Sequence, residues 1–468
     1  MKLYKAETSV FRQDGRAFLL DVRRSKCFAL SPVEEEIIAV AEGTPLHTLR
    51  RTLQAKYPQE AIEEGLNRLL RQDVLLTQPL PPPDRPAFPC QPLRVLTLNV
   101  SQNCNLRCRY CLVQQGSYGK PPQMMEEQVA QQAVDFLLRK SGESCALRLN
   151  FFGGEPLMNY KVIRRVIPYA EAEAAWQGKR TEFWLYTNAT LLDEKKIAFL
   201  KAHQVNVQVS LDGSSEVHDQ MRSFASGKGS YAATIARLSQ LITGYAEHVI
   251  LRATLTSYYP NALNVVSHLA QFGAGRISLG IACGSNGDCS FDAASRERVK
   301  EEYTRLARHV LAHSPEGDLT AVDPFIKYLF HFCTGRPRHL FCGAGTSLLG
   351  VSASGDIYLC HNLAELPAYC LGHVATGLNR VALARCVFWH DVHEKQPCRE
   401  CWARYICGGG CLWEANASHG TPDRPDEGSC DLIRHTIQLS IWIYLELKEK
   451  HPEVFVRLLS QSVATWDV

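Results

Sequence analysis

Three cysteines, Cys104, Cys108 and Cys111, stand in the run Cys-Asn-Leu-Arg-Cys-Arg-Tyr-Cys, and their spacing constrains this chain more than any other feature. Three residues separate the first pair and two the second, so one short loop can turn all three thiolates toward a point. A cubane iron–sulfur cluster has four irons and normally takes four cysteine thiolates. With no fourth cysteine nearby, one iron is left for a ligand that is not protein. A zinc knuckle is the competing reading. Zinc sites, however, use paired C-x2-C units with a second pair, a pattern this loop lacks.

The 468 residues are too many for one core, and two to four domains are expected. A hydrophobic content of 46% with 21% charge describes an ordinary globular protein, and a net charge of +3 predicts neither a nucleic-acid nor a membrane partner. No long apolar run opens the chain, and the apolar stretch at 437–447 is too short to span a bilayer. Eighteen cysteines without a secretory signal argue for metal or cluster ligation in a reducing cytoplasm rather than for disulfides.

Residues 1–80 read as a separate unit. A hairpin turns at Asp14-Gly15, and Ser31-Pro32-Val33-Glu34 opens a helix with a capping serine, a first-turn proline and a glutamate three residues on. Helical patterns follow at 46–57 and 60–71. Two strands and three helices of this size resemble the winged-helix, PqqD-like element that recognises leader peptides, in which a peptide adds a strand to the hairpin's edge. Seven prolines between Pro79 and Pro92 make a linker, placed at 81–92. Apolar runs at 94–100, 147–152, 182–186, 205–211, 249–255 and 277–281 then alternate with helical patterns at 125–140, 162–175, 193–203, 231–245 and 261–272. Such repeats imply a parallel sheet over 93–315.

The C-x3-C-x2-C run with Tyr110 before its last cysteine resembles the signature of radical S-adenosylmethionine (SAM) enzymes. The resemblance implies an α/β fold built on a partial, six-stranded (β/α)6 TIM-like barrel. It also implies a [4Fe-4S] cluster whose open iron binds SAM, with reductive cleavage releasing a 5′-deoxyadenosyl radical. Phe152 is followed by Gly153, Gly154, Glu155 and Pro156, which match the family's SAM-pocket motif. The glycines would let backbone approach the ligand, and Glu155 would accept from SAM's ammonium group. By the same resemblance Asn188 and Ser210 would contact SAM, and Arg222 would pair with its carboxylate.

A second array runs Cys342, Gly355, Cys360, then Cys398, Cys401, Cys407, Cys411 and Cys430. The pattern C-x12-G-x4-C followed by C-x2-C-x5-C-x3-C resembles the SPASM domain, placed at 333–435 ahead of a terminal helix at 436–468. It implies two auxiliary [4Fe-4S] clusters. The inner one would use Cys342, Cys360 and Cys411, with Cys333 as fourth ligand and Cys370 or a substrate thiolate as rivals. The outer one would use Cys398, Cys401, Cys407 and Cys430. Paired zinc sites are the alternative. Cys27, Cys90, Cys145, Cys283, Cys289, Cys370 and Cys386 are left over, and Cys27 and Cys145 read as buried small hydrophobes.

Histidine at 361, directly after Cys360, is what thioether-forming maturases of cysteine-rich peptides carry, the group that includes the quinohemoprotein amine dehydrogenase maturase. Anaerobic sulfatase maturases usually have aspartate there. The resemblance therefore implies a cytoplasmic enzyme that joins a cysteine sulfur to a carbon of a leader-bearing precursor peptide. His361 would act as base, because an unperturbed histidine titrates near neutrality, and flavodoxin or ferredoxin would act as reductant. Formylglycine formation, carbon–carbon crosslinking and a non-catalytic leader-binding scaffold are the alternatives.

Overall fold

The computed structural model describes residues 2–81, 91–283, 289–313 and 322–456. Residues 82–90 of the expected linker and 457–468 of the expected terminal helix lie outside them. Among the described residues, no helix is long and apolar enough to cross a membrane.

The chain begins with an antiparallel sheet of β1 (Thr8–Gln13), β2 (Arg16–Asp21) and β3 (Lys26–Leu30), in that order. Asp14 and Gly15 have φ of 45° and 76°, the left-handed pair that a two-residue hairpin turn requires. Three helices follow: α1 (Pro32–Val40), α2 (Leu46–Leu53) and α3 (Gln59–Arg71). Ser31 and Glu34 form a reciprocal capping box at the start of α1. Strand β3 is one more than the sequence suggested. It matters because alternate residues of β2 face different cores: Leu19 packs with the three helices, whereas Phe18 and Leu20 join the main core.

Six parallel strands form the centre: β4 (Val95–Ser101), β5 (Ala146–Gly153), β6 (Arg180–Thr187), β7 (Asn206–Ser210), β8 (Val249–Leu255) and β9 (Arg276–Ile281). Their connecting helices are α4 (Glu127–Lys140), α5 (Tyr160–Trp176), α6 (Glu194–Ala202), α7 (Tyr231–Ile242) and α8 (Ala262–Ala270). Strand β4 is buried along its whole length, as expected of a parallel strand covered on both faces.

The sheet does not stop at six strands. After α9 (Ala293–His313), β10 (Val322–Asp323) extends it beyond β9, and α10 (Ile326–Thr334) follows. At the opposite side β11 (Leu348–Val351) pairs in parallel with β4, and β12 (Asp356–Tyr358), β13 (Cys370–His373) and β14 (Gly377–Leu378) continue antiparallel. The result is one eleven-stranded sheet among the described residues. Gly355, φ 97°, makes the β11–β12 turn. Helices α11 (Arg380–His390), α12 (Leu412–His419) and α13 (Glu427–Lys450) follow. Helix α13 lies against β1 and β3, and Arg16 pairs with its Glu446 and Glu449.

Candidate active site

The loop carrying Cys104, Cys108 and Cys111 leaves the carboxyl end of β4, where parallel α/β sheets place their ligands. Backbone bonds hold it from outside: Arg107 N to Ser223 O at 2.7 Å and Arg109 N to Met221 O at 3.0 Å. Amides also reach its sulfurs, from Leu106 to Cys104 Sγ at 3.4 Å and from Gln115 to Cys111 Sγ at 3.1 Å. Burial pushes the Cys104 thiol up to about 12 and the Cys108 thiol up to about 11. These thiols ionise only when a metal takes the charge. The three cysteines line a cavity of about 230 Å³ together with Gly153, Gly154, Glu155, Asn188, Ser210 and Arg222. A cavity holding three thiols, a guanidinium and polar strand tips suits a cluster with a zwitterionic ligand.

The Gly-Gly pair has a cause that the sequence did not reveal. A Cβ on Gly153 would collide with Ser101 O, and one on Gly154 with Asn103 O. The glycines thus let β5 close on the backbone of the cysteine loop. Glu155 has a structural task as well. It is 1% exposed, and its carboxylate accepts from Leu157 N at 3.0 Å, Thr187 Oγ1 at 2.7 Å and Asn188 N at 2.8 Å. It braces the tips of β5 and β6 while lining the cavity, and with two donors on Oε1 and one on Oε2 its carboxylate keeps an acceptor site for a ligand. Pro156 starts the buried turn that follows. Asn188 in turn donates to Asn105 Oδ1 at 2.9 Å, which fastens β6 to the cysteine loop.

Tyr110 is the centre of a second brace. Its hydroxyl donates to Asp212 Oδ2 at 2.5 Å and accepts from Arg222 Nη1 at 2.5 Å. Arg222 is 9% exposed, and its Nε is buried with no partner among the described residues. A carboxylate entering the cavity is the group such a nitrogen would bind.

The auxiliary cysteines fall into two sets. Cys398, Cys401, Cys407 and Cys430 line one small cavity. Cys342, Cys360 and Cys411 are gathered elsewhere: burial and then Cys342 push the Cys360 thiol up to about 12, and burial, Glu414 and Cys360 raise Cys411. Lys395, 1% exposed, donates to Gly409 O at 2.9 Å and interacts with Cys398, Cys407, Cys411 and Cys430. Nothing in the sequence marked this lysine.

Cys333 is not brought to either set. It sits on α10, where its thiol donates to Leu329 O at 3.0 Å and neighbours Cys27 and Lys448. Cys283, unassigned in the sequence, lies instead on the wall of the main cavity at the tip of β9. It donates to Glu414 Oε1 at 3.2 Å and interacts with Cys411. Cys27 is buried as expected, whereas Cys145 is exposed.

His361 does not number among the described residues lining the cavity. It packs edge-on against Phe152, which does, with ring centroids 4.4 Å apart. Burial pushes its imidazole down to about 4, so it does not titrate near neutrality as the sequence implied. Its Nδ1 is buried with no partner among the described residues.

Residues 98–253 match the model of the Radical SAM superfamily. The chain carries the radical SAM fold. A [4Fe-4S] cluster and SAM are the cofactors expected of it. In sequence it is 28% identical over 283 residues to an uncharacterized protein of Methanocaldococcus jannaschii, covering 60% of this chain and 89% of that one. It is also 26% identical over 349 residues to a cysteine-type anaerobic sulfatase-maturating enzyme of Clostridium perfringens, covering 68% and 89%. In structure it is similar to SuiB of Streptococcus suis bound to precursor peptide SuiA. The TM-score is 0.52 at 14% identity, over 91% of this chain and 99% of the other. The radical SAM fold thus comes with sequence similarity to a sulfatase-maturating enzyme.

Proposed function

We propose that this chain is a radical SAM peptide maturase that forms thioether crosslinks between a cysteine sulfur and a carbon of the same precursor. His361 carries the reading. It follows Cys360 directly, lies behind the cavity-lining Phe152, and holds a buried Nδ1 with no partner among the described residues. A ring pushed down to about 4 is too weak a base for a free thiol, so its Nδ1 would take the proton of a thiol whose own pKa is lowered by coordination to a cluster iron.

When bound, the cluster and SAM supply a 5′-deoxyadenosyl radical that takes a hydrogen atom from carbon. The chain's own residues then do the rest. Arg222 and the tips of β6 and β7 orient the ligand, and His361 accepts the thiol proton. Cys342, Cys360 and Cys411 would hold an auxiliary cluster, which would supply the acceptor for the electron released when the carbon–sulfur bond forms. Reducing equivalents enter from a flavodoxin or ferredoxin. A leader segment adds to the β1 edge of the N-terminal sheet, where Val10 is exposed. The SuiB likeness, in a structure bound to a precursor peptide, supports a peptide substrate.

Anaerobic turnover with a cysteine-containing precursor, followed by mass spectrometry, tests this. A product lighter by two hydrogens whose thiol resists alkylation is expected, and His361→Ala should lose it while SAM cleavage persists. The sulfatase-maturating relative favours formylglycine formation as a second reading. In that case the cysteine would become an aldehyde and no crosslink would form.

A further inference from the structure

Away from the cavity, one donor atom each of His339, Asp391 and His393 lie within 4.8 Å of one another. His339 stands on the stretch running into Cys342, and Asp391 and His393 on the stretch running into Cys398. A backbone bond joins the two stretches, Val392 N to His339 O at 3.0 Å. Asp391 Oδ1 accepts from the His393 amide at 2.9 Å, which fixes the turn that presents both side chains. The two imidazoles stack with centroids 5.5 Å apart, and Tyr405 packs against both at 5.3 and 5.6 Å. His393 is 6% exposed.

We propose that His339, Asp391 and His393 bind one zinc ion, at a site separate from the iron–sulfur clusters. Two imidazole nitrogens and a carboxylate oxygen suit a borderline divalent cation, with a fourth position left for water. The donor atoms would close in by about an ångström to reach zinc–nitrogen and zinc–oxygen distances near 2.0 Å. The set contains no thiolate, which distinguishes it from the cysteine sites. Its place suggests a staple: the ion would hold the approach to Cys342 against the approach to Cys398, with Tyr405, two residues before Cys407, as the wall. This goes beyond the functional reading and stands whatever the enzyme's substrate is.

The test uses full-length protein with its clusters reconstituted anaerobically, exposed to zinc chloride and washed with a weak chelator. Metal analysis should find one zinc per chain. Zinc-edge X-ray absorption should show only nitrogen and oxygen neighbours near 2.0–2.1 Å, without the sulfur shell near 2.3 Å of a cysteine site. His393→Ala and Asp391→Ala should each lower zinc at least tenfold while iron content is kept. His393→Cys should restore zinc and introduce one sulfur neighbour. Cluster-loaded wild-type protein that retains no zinc, or zinc found with sulfur neighbours only, overturns the proposal irrespective of how the variants fold.

Discussion

The Cys283 thiol lies 3.2 Å from Glu414 Oε1, which joins the tip of the last barrel strand to the helix that follows Cys411. Cys283 also lines the cavity of the three-cysteine loop, so one side chain borders both that cavity and Cys411. Cys283→Ser should leave the iron content unchanged and SAM cleavage within about twofold. Crosslink formation should fall roughly tenfold, about 1.4 kcal/mol in the barrier. Loss of iron in this variant would instead make Cys283 a cluster ligand.

Arg222 reaches the cavity through a hydrogen bond to Tyr110, which is itself bonded to Asp212. Lysine presents a single point charge and cannot serve two partners with a planar fork. Arg222→Lys should therefore weaken SAM binding about tenfold by equilibrium dialysis while the three-cysteine cluster remains visible by electron paramagnetic resonance. Unaltered SAM affinity would exclude Arg222 from carboxylate binding.

Lys395 is a buried cation among the outer auxiliary cysteines, with its ammonium on Gly409 O. A positive charge there favours the more negative, reduced cluster. Lys395→Met, of similar length, should lower the reduction potential of the outer cluster, by ~1–2 kcal/mol at an effective dielectric near 20. A potentiometric titration followed by electron paramagnetic resonance measures this. A potential that stays put would place the lysine's effect in packing alone.

Acid should destabilise the fold through its buried histidines. Burial pushes His218 and His390 down to about 3, and both are fully buried. Their folded values lie below the unfolded value near 6.5, so the stability they contribute is complete above pH 6.5 and declines as pH falls toward 3. At pH 5 each costs up to ~2 kcal/mol relative to pH 7. Urea unfolding of wild type and His390→Phe at both pH values should show a smaller pH dependence in the variant.

The barrel was legible because its strands are apolar runs separated by helical periods, and these signals are local. What the sequence hid has a common origin in long-range geometry. Glu155 stands beside two glycines at the cavity wall, but that its carboxylate also braces Thr187 and Asn188 of the next strand has no local signal. Cys333 precedes Cys342 at a plausible spacing, but helix α10 directs its sulfur along the helix toward Leu329 O. Cys283 follows an unremarkable apolar strand, and only the arrival of Glu414 gives it a place. Lys395 sits in the polar run Asp391-Val392-His393-Glu394-Lys395, which reads as surface until Gly409 meets it. Strand β11 is four residues long and contains Gly350, too short and too flexible for a periodic signal.

That short strand has a consequence for how the protein is made. Strand β4 carries the cysteine loop, and its second neighbour, β11, is synthesised after nearly the whole barrel has left the ribosome. Until then the barrel's founding strand presents an open edge, the kind of surface that invites wrong pairing in nascent chains. The bed of the three-cysteine loop is therefore finished late, together with the hairpin that leads into Cys360. A chain truncated before Leu348 should aggregate rather than persist as a working radical core.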